Sequence, residues 1–475
     1  MTDLHYLSAT EALAAFRAKT LSPVELMEAV LARADEVDGA VNALCHRFDE
    51  RALDQSRQAE ARYLGRGEPP RPLEGIPMAV KEEEAVAGEP WTQGSLLYKD
   101  TIAPHSSPFA ERILESGAIV HARSTAPEFS CAGFTHSRLW GVTRNPWNLD
   151  VTVGGSSGGS GAALASGTAT LASGSDIGGS IRIPASYNGV VGFKPPYGRV
   201  PQDAPFNYDT FCHVGPMART VADCAAFQNA VAGPHPRDHV SLRPRVVIPD
   251  ELGPIDGMRI AVSLDLGSWA LDDEIAANTM RTAEALRTAG AVVEEVDLQV
   301  PRELILRVAA IHFNLMFAAW IGSVIEEHGD LMTDYAIEFP RSMAEFAGDA
   351  GLVEELTLQA QVCEPVGALL DEFDALVCPT LASRGLTAGE SYIGQVVKVG
   401  DTEVTNYFDT MMTAPFNVLS RCPVLAVPSG VADNGVPTGV QIVGRTYDDE
   451  TVFRIGAALE RVQPWFDVAA RRPAL

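Results

Sequence analysis

Three side chains stand where their types and spacing could do nucleophilic or acid–base chemistry. Ser180 lies in "SDIGGSIRIP", where Gly178 and Gly179 let consecutive backbone N–H groups converge on one point ahead of a short helix expected from about Arg182. Converging amides of that kind stabilise a developing oxyanion. A serine hydroxyl becomes a nucleophile when something takes its proton, and the usual helper is a histidine or a neutral lysine. Lys81 follows the apolar run "GIPMAV" and so arrives at a strand end partly out of water, where burial lowers an ammonium pKa and makes the amine usable as a base. Taken alone, "KEEE" also reads as a solvated charged turn. Ser156 sits in Gly154-Gly155-Ser156-Ser157-Gly158, which matches the G-x-S-x-G nucleophile elbow. That motif requires a later Asp or Glu and a His, and His213, His235, His239, His312 and His328 keep the alternative open.

Other chemistries fit less well. The stretch 152–186 is not a flexible linker, because its small residues alternate with apolar ones that would be buried. It contains neither G-x-x-x-x-G-K-[ST] nor G-x-G-x-x-G, so a phosphate cradle is not indicated. The five lysines, at 19, 81, 99, 194 and 398, include no S-x-x-K frame. Seven scattered cysteines without a C-x-x-C pair suggest neither a disulfide framework nor a zinc site, and a reducing cytoplasm is the expected compartment. No metal and no cofactor is expected. A formal charge of -26 repels phosphate backbones, so nucleic acid and anionic membranes are poor partners. The acidic amino end reads as amphipathic helix rather than a secretion signal, and no run approaches the roughly 20 apolar residues that span a bilayer.

These residues need a scaffold that brings 81, 156 and 180 together. At 475 residues, 46% of them hydrophobic and 21% charged, the chain can bury a sizeable core. Residues 1–65 form an expected helical layer, with Ser22 capping a helix that begins at Pro23 and carries Glu25 at the third position. From Leu73 the texture changes. "GIPMAV", "GAIVHA", "TATLAS" and "GVVGF" read as buried strands, and 107–116 and 157–166 as helices between them. In "GPMARTVADCAAFQNAVAG", Thr220 caps a helix with Asp223 three residues on. The Pro-rich 232–257 is an excursion, because "MRIAVSLD" and "AVVEEVDL" resume the strand texture. Residues 301–375 are mostly helical, and "DALVCPTLA" and "CPVLAVPSG" return to strands. Strands alternating with helices predict an α/β fold: a single large domain, 66–475, with a mixed central sheet flanked by helices on both faces.

With these motifs in place, the chain resembles the amidase signature family of serine hydrolases, from about residue 8 to 460. "GGSSGGSGAALA" followed by "GSDIGGSIRIPA", with Ser156 and Ser180 24 residues apart, is the family's defining stretch. "LEGIPMAVKE", "TRNPWN", "GFKPPYGRVP", "GPMARTVAD", "FNVLSRCPVLAVPSG" and "GVPTGVQIVGR" agree with it. The resemblance implies Ser180 as nucleophile, Ser156 as bridging serine after a cis peptide from Gly155, and Lys81 as base. It also implies an oxyanion hole from the amides of Ile177, Gly178, Gly179 and Ser180, and an acyl-site loop carrying Ser130 and Cys131. Ser157, Asp176 and Arg182 match positions that brace the turns. The implied activity is hydrolysis of small amides through an acyl-enzyme, broad on aryl and alkyl amides and extending to carbamates. Family members are often dimers, so a homodimer is the oligomeric expectation.

Two departures stand out. Relatives usually place Asp after the catalytic lysine, where this chain has Glu82 with Glu83 and Glu84 behind it, a cluster that would raise the lysine pKa. Near the carboxyl end, Ser420-Arg421 replaces Thr-Gly, leaving the arginine to face substrate or solvent. Rival readings are a Cys-Glu-Lys site built on Cys131, a glutaminyl-tRNA amidotransferase-type subunit, and a non-catalytic binding protein, though all three triad positions are kept. Phe313, Met316, Phe317 and Trp320, at helical spacing, read first as core and second as a pocket wall.

Overall fold

The computed structural model describes residues 3–475. An 11-stranded mixed sheet runs through the whole chain. At one end Leu44–Arg47 lies antiparallel to Ile119–Ser124, which is parallel to Pro77–Lys81, itself parallel to Leu171–Asp176. His213–Ala218, Val191–Lys194, Val424–Val431, Pro437–Gly444 and Ala375–Pro379 follow in an antiparallel series. Arg259–Val262 and Val292–Glu295 complete the far edge in parallel. The single α/β domain expected from the strand and helix texture is therefore present, with one addition. The first 65 residues are not helical throughout, since "LCHR" pairs as the edge strand of the sheet.

The alternation of side chains along a strand sorts the two faces. Met78 and Val80 point into one core with the Ala9–Ala18, Pro108–Glu115, Val221–Val231 and Asp449–Val462 helices. Ala79, Ala122 and Ala172 point the other way, against Ala162, Ala163 and Ala165 of the Gly158–Ser166 helix. Small residues on both sides let that helix lie close to the strand that ends at Lys81 and the strand that leads to Ser180. The expected caps form. Ser22 and Glu25 make a full capping box at Pro23, whereas Thr220 accepts from the Asp223 amide without the reciprocal half. The Asp223 carboxylate instead accepts from the Ala9 and Thr10 amides, tying the first helix to the core. The 301–375 region folds as four helices, Arg302–Leu315, Phe317–His328, Asp334–Ala347 and Leu352–Glu372. No single helix among the described residues is long and apolar enough to cross a membrane.

Candidate active site

Lys81 is the last residue of its strand, Ser180 follows the carboxyl end of the adjacent parallel strand, and Ser156 and Ser157 precede the Gly158–Ser166 helix. Crevices outside the carboxyl ends of parallel strands are where α/β sheets bind ligands. The glycines make this convergence possible. A Cβ on Gly155 would stand 2.4 Å from the Phe134 carbonyl oxygen, and one on Gly159 would stand 2.4 Å from the Thr125 amide. The Gly155–Ser156 peptide is cis.

Lys81 is 1% exposed, and its Nζ donates to Ser156 Oγ at 2.6 Å and to Ser175 Oγ at 2.9 Å, with Glu83 Oε1 at 3.0 Å. Burial lowers its pKa, and the Glu83 carboxylate works against that without cancelling it. Only one of the three glutamates faces the amine. Glu82 is buried against Thr92 and Trp140 and is pushed up to about 7 by burial. Glu84 accepts from Ser107 and is pushed up to about 7 for the same reason. Glu83, by contrast, is held below the ordinary carboxylate range, because Lys81, Ser130 and Ser175 outweigh the cost of burial.

The Ser180 turn is fixed from below by a buried ion pair. Arg182 donates to both Asp176 oxygens at 2.9 Å and reaches Gln441, Asn417 and the Thr413 carbonyl. Burial pushes the Asp176 carboxyl up, but Arg182 and Asn417 reverse this and hold it well below the usual range. Ser157 closes the turn from the other side: its amide donates to the Ser180 carbonyl at 3.2 Å, and its hydroxyl exchanges hydrogen bonds with the backbone of Ser175. Among the described residues, the N–H groups of Ile177, Gly178, Gly179 and Ser180 donate to no protein acceptor. Ile177, Gly178 and Ser180 line a common cleft. Free amide donors beside a hydroxyl in an apolar cleft suit a developing negative charge.

The wall opposite is the "PEFSCAGF" loop, where Phe129 and Ser130 hold consecutive positive φ angles of 55° and 56°. Such backbone persists where neighbours over-determine it. Here the Phe129 amide donates to the Gln93 carbonyl, Glu128 accepts from Ser95, and the Ser130 hydroxyl donates to Glu83. Ser130 and Cys131 both line the cleft. The Cys131 thiol is pushed up by burial and bonds to the Glu128 carbonyl, away from any base. Of the histidines offered for an elbow, His312 sits between Asp209 and Glu355 and His235 binds Glu111, and the side chain that Ser156 meets is Lys81. Arg421 is exposed and outside the cleft lining, which resolves its orientation toward solvent.

Phe313 and Phe317 do wall the cleft, with Trp269, Phe339, Met343 and Phe408. Trp320 instead stacks on Phe317 behind it. Sequence reasoning missed Ser173, whose Oγ accepts from the Lys81 amide, and Ser175. The period-two pattern S-G-S-D in the strand beside Lys81 was the available signal. Asn417, Gln441 and Thr413, which buttress the turn, come from distant segments; the first two lie in runs that carry the family resemblance, but nothing in those runs marks them as partners of Asp176 and Arg182.

A strand-end lysine joined to a serine on a glycine turn, beside a second serine flanked by free amides, defines a hydrolase-type site, and the profile of the Amidase family matches residues 25–453. The chain belongs to the amidase signature family, whose enzymes act on carbon–nitrogen amide bonds. It is 32% identical over 486 residues to an acylamidase of Rhodococcus erythropolis, covering 99% of this chain and 98% of the relative. It is 33% identical over 502 residues to a glutamyl-tRNA(Gln) amidotransferase subunit of Chloroflexus aggregans, covering 100% of this chain and 99% of the relative. A bacterial aryl acylamidase structure superposes with a TM-score of 0.89 at 28% identity, over 99% of each chain.

Proposed function

We propose that the protein hydrolyses aryl and alkyl amides through an acyl-enzyme on Ser180, and that it also cleaves N-aryl carbamates. The observation that carries this reading is the 2.6 Å contact between Lys81 Nζ and Ser156 Oγ beneath an apolar cleft lined by Ser180. Neutral Lys81 takes a proton from Ser156, which takes one from Ser180, and the Ser180 oxygen attacks the carbonyl. The amides of Ile177 to Ser180 stabilise the oxyanion. The relay then returns a proton to the leaving nitrogen, and water, deprotonated by the same relay, releases the acid. A carbamate offers the same carbonyl and the same developing charge. Its lower electrophilicity makes protonation of the leaving amine matter more.

The apolar walls of the cleft, Trp269, Phe313 and Phe339 among them, and the small Cys131 and Ala132 on the loop favour a bulky aromatic group. Steady-state kinetics on a matched anilide and N-aryl carbamate, with propionamide alongside, test this. Efficient turnover of propionamide over both aryl substrates overturns the aryl preference. The similarity to glutamyl-tRNA(Gln) amidotransferase components favours a second reading, a glutamine-hydrolysing subunit. The scarcity of polar side chains in the cleft and the charge of -26 weigh against glutamine and tRNA as substrates. Glutaminase activity exceeding anilide hydrolysis selects that reading instead.

A further inference from the structure

Glu83 lies two residues past the lysine with its side chain 17% exposed, and it faces the amine itself. Its Oε1 lies 3.0 Å from Lys81 Nζ, its Oε2 accepts from Ser130, and Ser175, which accepts from the same amine, lies near it. Its own turn is anchored, since its carbonyl accepts from Trp91 Nε1 at 2.6 Å and Gln93 Nε2 at 3.3 Å.

The hydrogen count at the amine gives this arrangement its meaning. A protonated lysine has three N–H donors, and Ser156, Ser175 and Glu83 surround it. A neutral amine has two N–H donors and one lone pair. It can serve as a base toward Ser156 only if the lone pair points there and both hydrogens point elsewhere. An ionised carboxylate can only accept, so it holds one hydrogen outright. The Ser175 oxygen, 2.9 Å from the amine, accepts the other. We propose that Glu83 is the positioning residue of the base: as common acceptor for Lys81 and Ser130, it turns the lone pair of the neutral amine toward Ser156 and ties that amine to the cleft loop. This deepens the amidase reading and rests on it.

Other charged and titratable groups face the pair. Cys212, before the His213–Ala218 strand, lies near both, and burial keeps its thiol protonated. Asp209 faces Cys212 and is committed to His312. Glu84 is bonded to Ser107, and Asp203 faces Glu84. Arg123, from the Ile119–Ser124 strand, donates to the carbonyls of Lys81, Glu82 and Glu84 and pairs with Glu89. Glu83 is the carboxylate in direct contact with the amine.

The test is the pH dependence of covalent labelling of Ser180 by a fluorophosphonate, which reads the relay without depending on the natural substrate. Peptide mapping locates the adduct, and circular dichroism checks each variant's fold. Glu83→Gln should move the acid limb to lower pH by about 1–3 units, because an adjacent negative charge is lost. It should also slow labelling on the alkaline plateau about 10–100-fold, the worth of one hydrogen bond to a charged group. Glu84→Gln should move the limb far less. Ser130→Ala, which keeps the charge and removes one tether, should slow labelling and leave the limb in place, so a poorly folding Glu83 variant does not end the test. A Glu83→Gln limb and plateau coincident with wild type overturn the proposal while the amidase reading stands. So does wild-type labelling by Ser130→Ala. An adduct mapped away from Ser180 in the wild type overturns the amidase reading itself, and the proposal with it.

Discussion

In the proposed relay a hydroxyl, a second hydroxyl and an amine act in series as one unit, so their losses should not add. Ser180→Ala should abolish anilide turnover while leaving the fold intact, since Ser180 lies on a turn held by Arg182, Asp176 and Ser157. Lys81→Ala and Ser156→Ala should each lower kcat by about three orders of magnitude or more, and the double variant should fall little further. Replacing each histidine singly should spare catalysis, and a histidine whose loss abolishes turnover with Lys81 dispensable would revive the elbow reading. The pH dependence has a definite sign. The base must be neutral, so activity should rise from mildly acidic toward alkaline pH. Because burial lowers the lysine pKa despite Glu83, the midpoint should fall below that of a free lysine. A kcat/KM profile that peaks below neutrality contradicts a lysine base.

The helical wall is bolted to the catalytic core through His312 of the Arg302–Leu315 helix. Its ring donates to Asp209 Oδ1 at 2.7 Å and Glu355 Oε1 at 2.6 Å and stacks on Phe211 with centroids 3.8 Å apart. The Phe211 carbonyl accepts from Asn417, which also binds Asp176, so the clamp reaches the Ser180 turn in two steps. Burial lowers the His312 pKa, but the two carboxylates reverse this and raise it to about 9. A histidine raised in the folded state contributes stability that is complete below its unfolded pKa of about 6.5 and is lost as pH climbs through 9. Thermal unfolding of wild type and His312→Gln should therefore differ most near pH 6, and the gap should narrow by up to about 3 kcal/mol toward pH 10. A gap independent of pH would mean that His312 is neutral in its site. Little of this wall was legible in the sequence. Helical spacing over 301–375 identified the helices, and the same spacing made Phe313 and Phe317 read as core. Facing a cleft or facing another helix leaves the same periodicity. By contrast, Ser22, Thr220 and the strand runs were legible because caps and alternation are set by residues within a few positions of one another.

Across the whole molecule, the mixed sheet and its flanking helices followed from the order of strand and helix textures, and the segments that converge on the site from the signature stretch and its flanks. The register of the edge strand did not, because "LCHR" is short and its pairing partner lies about 75 residues away. That strand makes the first 65 residues part of the site's foundation. Leu44–Arg47 covers the Ile119–Ser124 strand, and the Thr125 amide that follows donates to the Ala43 carbonyl. The Thr125 carbonyl in turn accepts from Gly159, in the first turn of the helix preceded by Ser157. Arg33 and Tyr6 bond the far end of that helix at Ser166 and Ala165. A chain beginning at residue 66 would expose the fully buried Ile119–Ser124 strand as a bare edge, a template for pairing with other chains. It would also leave the Asp223 carboxylate, which accepts from Ala9 and Thr10, without its donors. We expect this truncation to aggregate and to lose fluorophosphonate labelling of Ser180, while removal of the residues after 467, most of them at the surface, leaves a labelled, monodisperse protein. Size-exclusion chromatography with labelling of the peak fractions checks both. A soluble, labelled chain from residue 66 would show that the core sheet closes without its first strand.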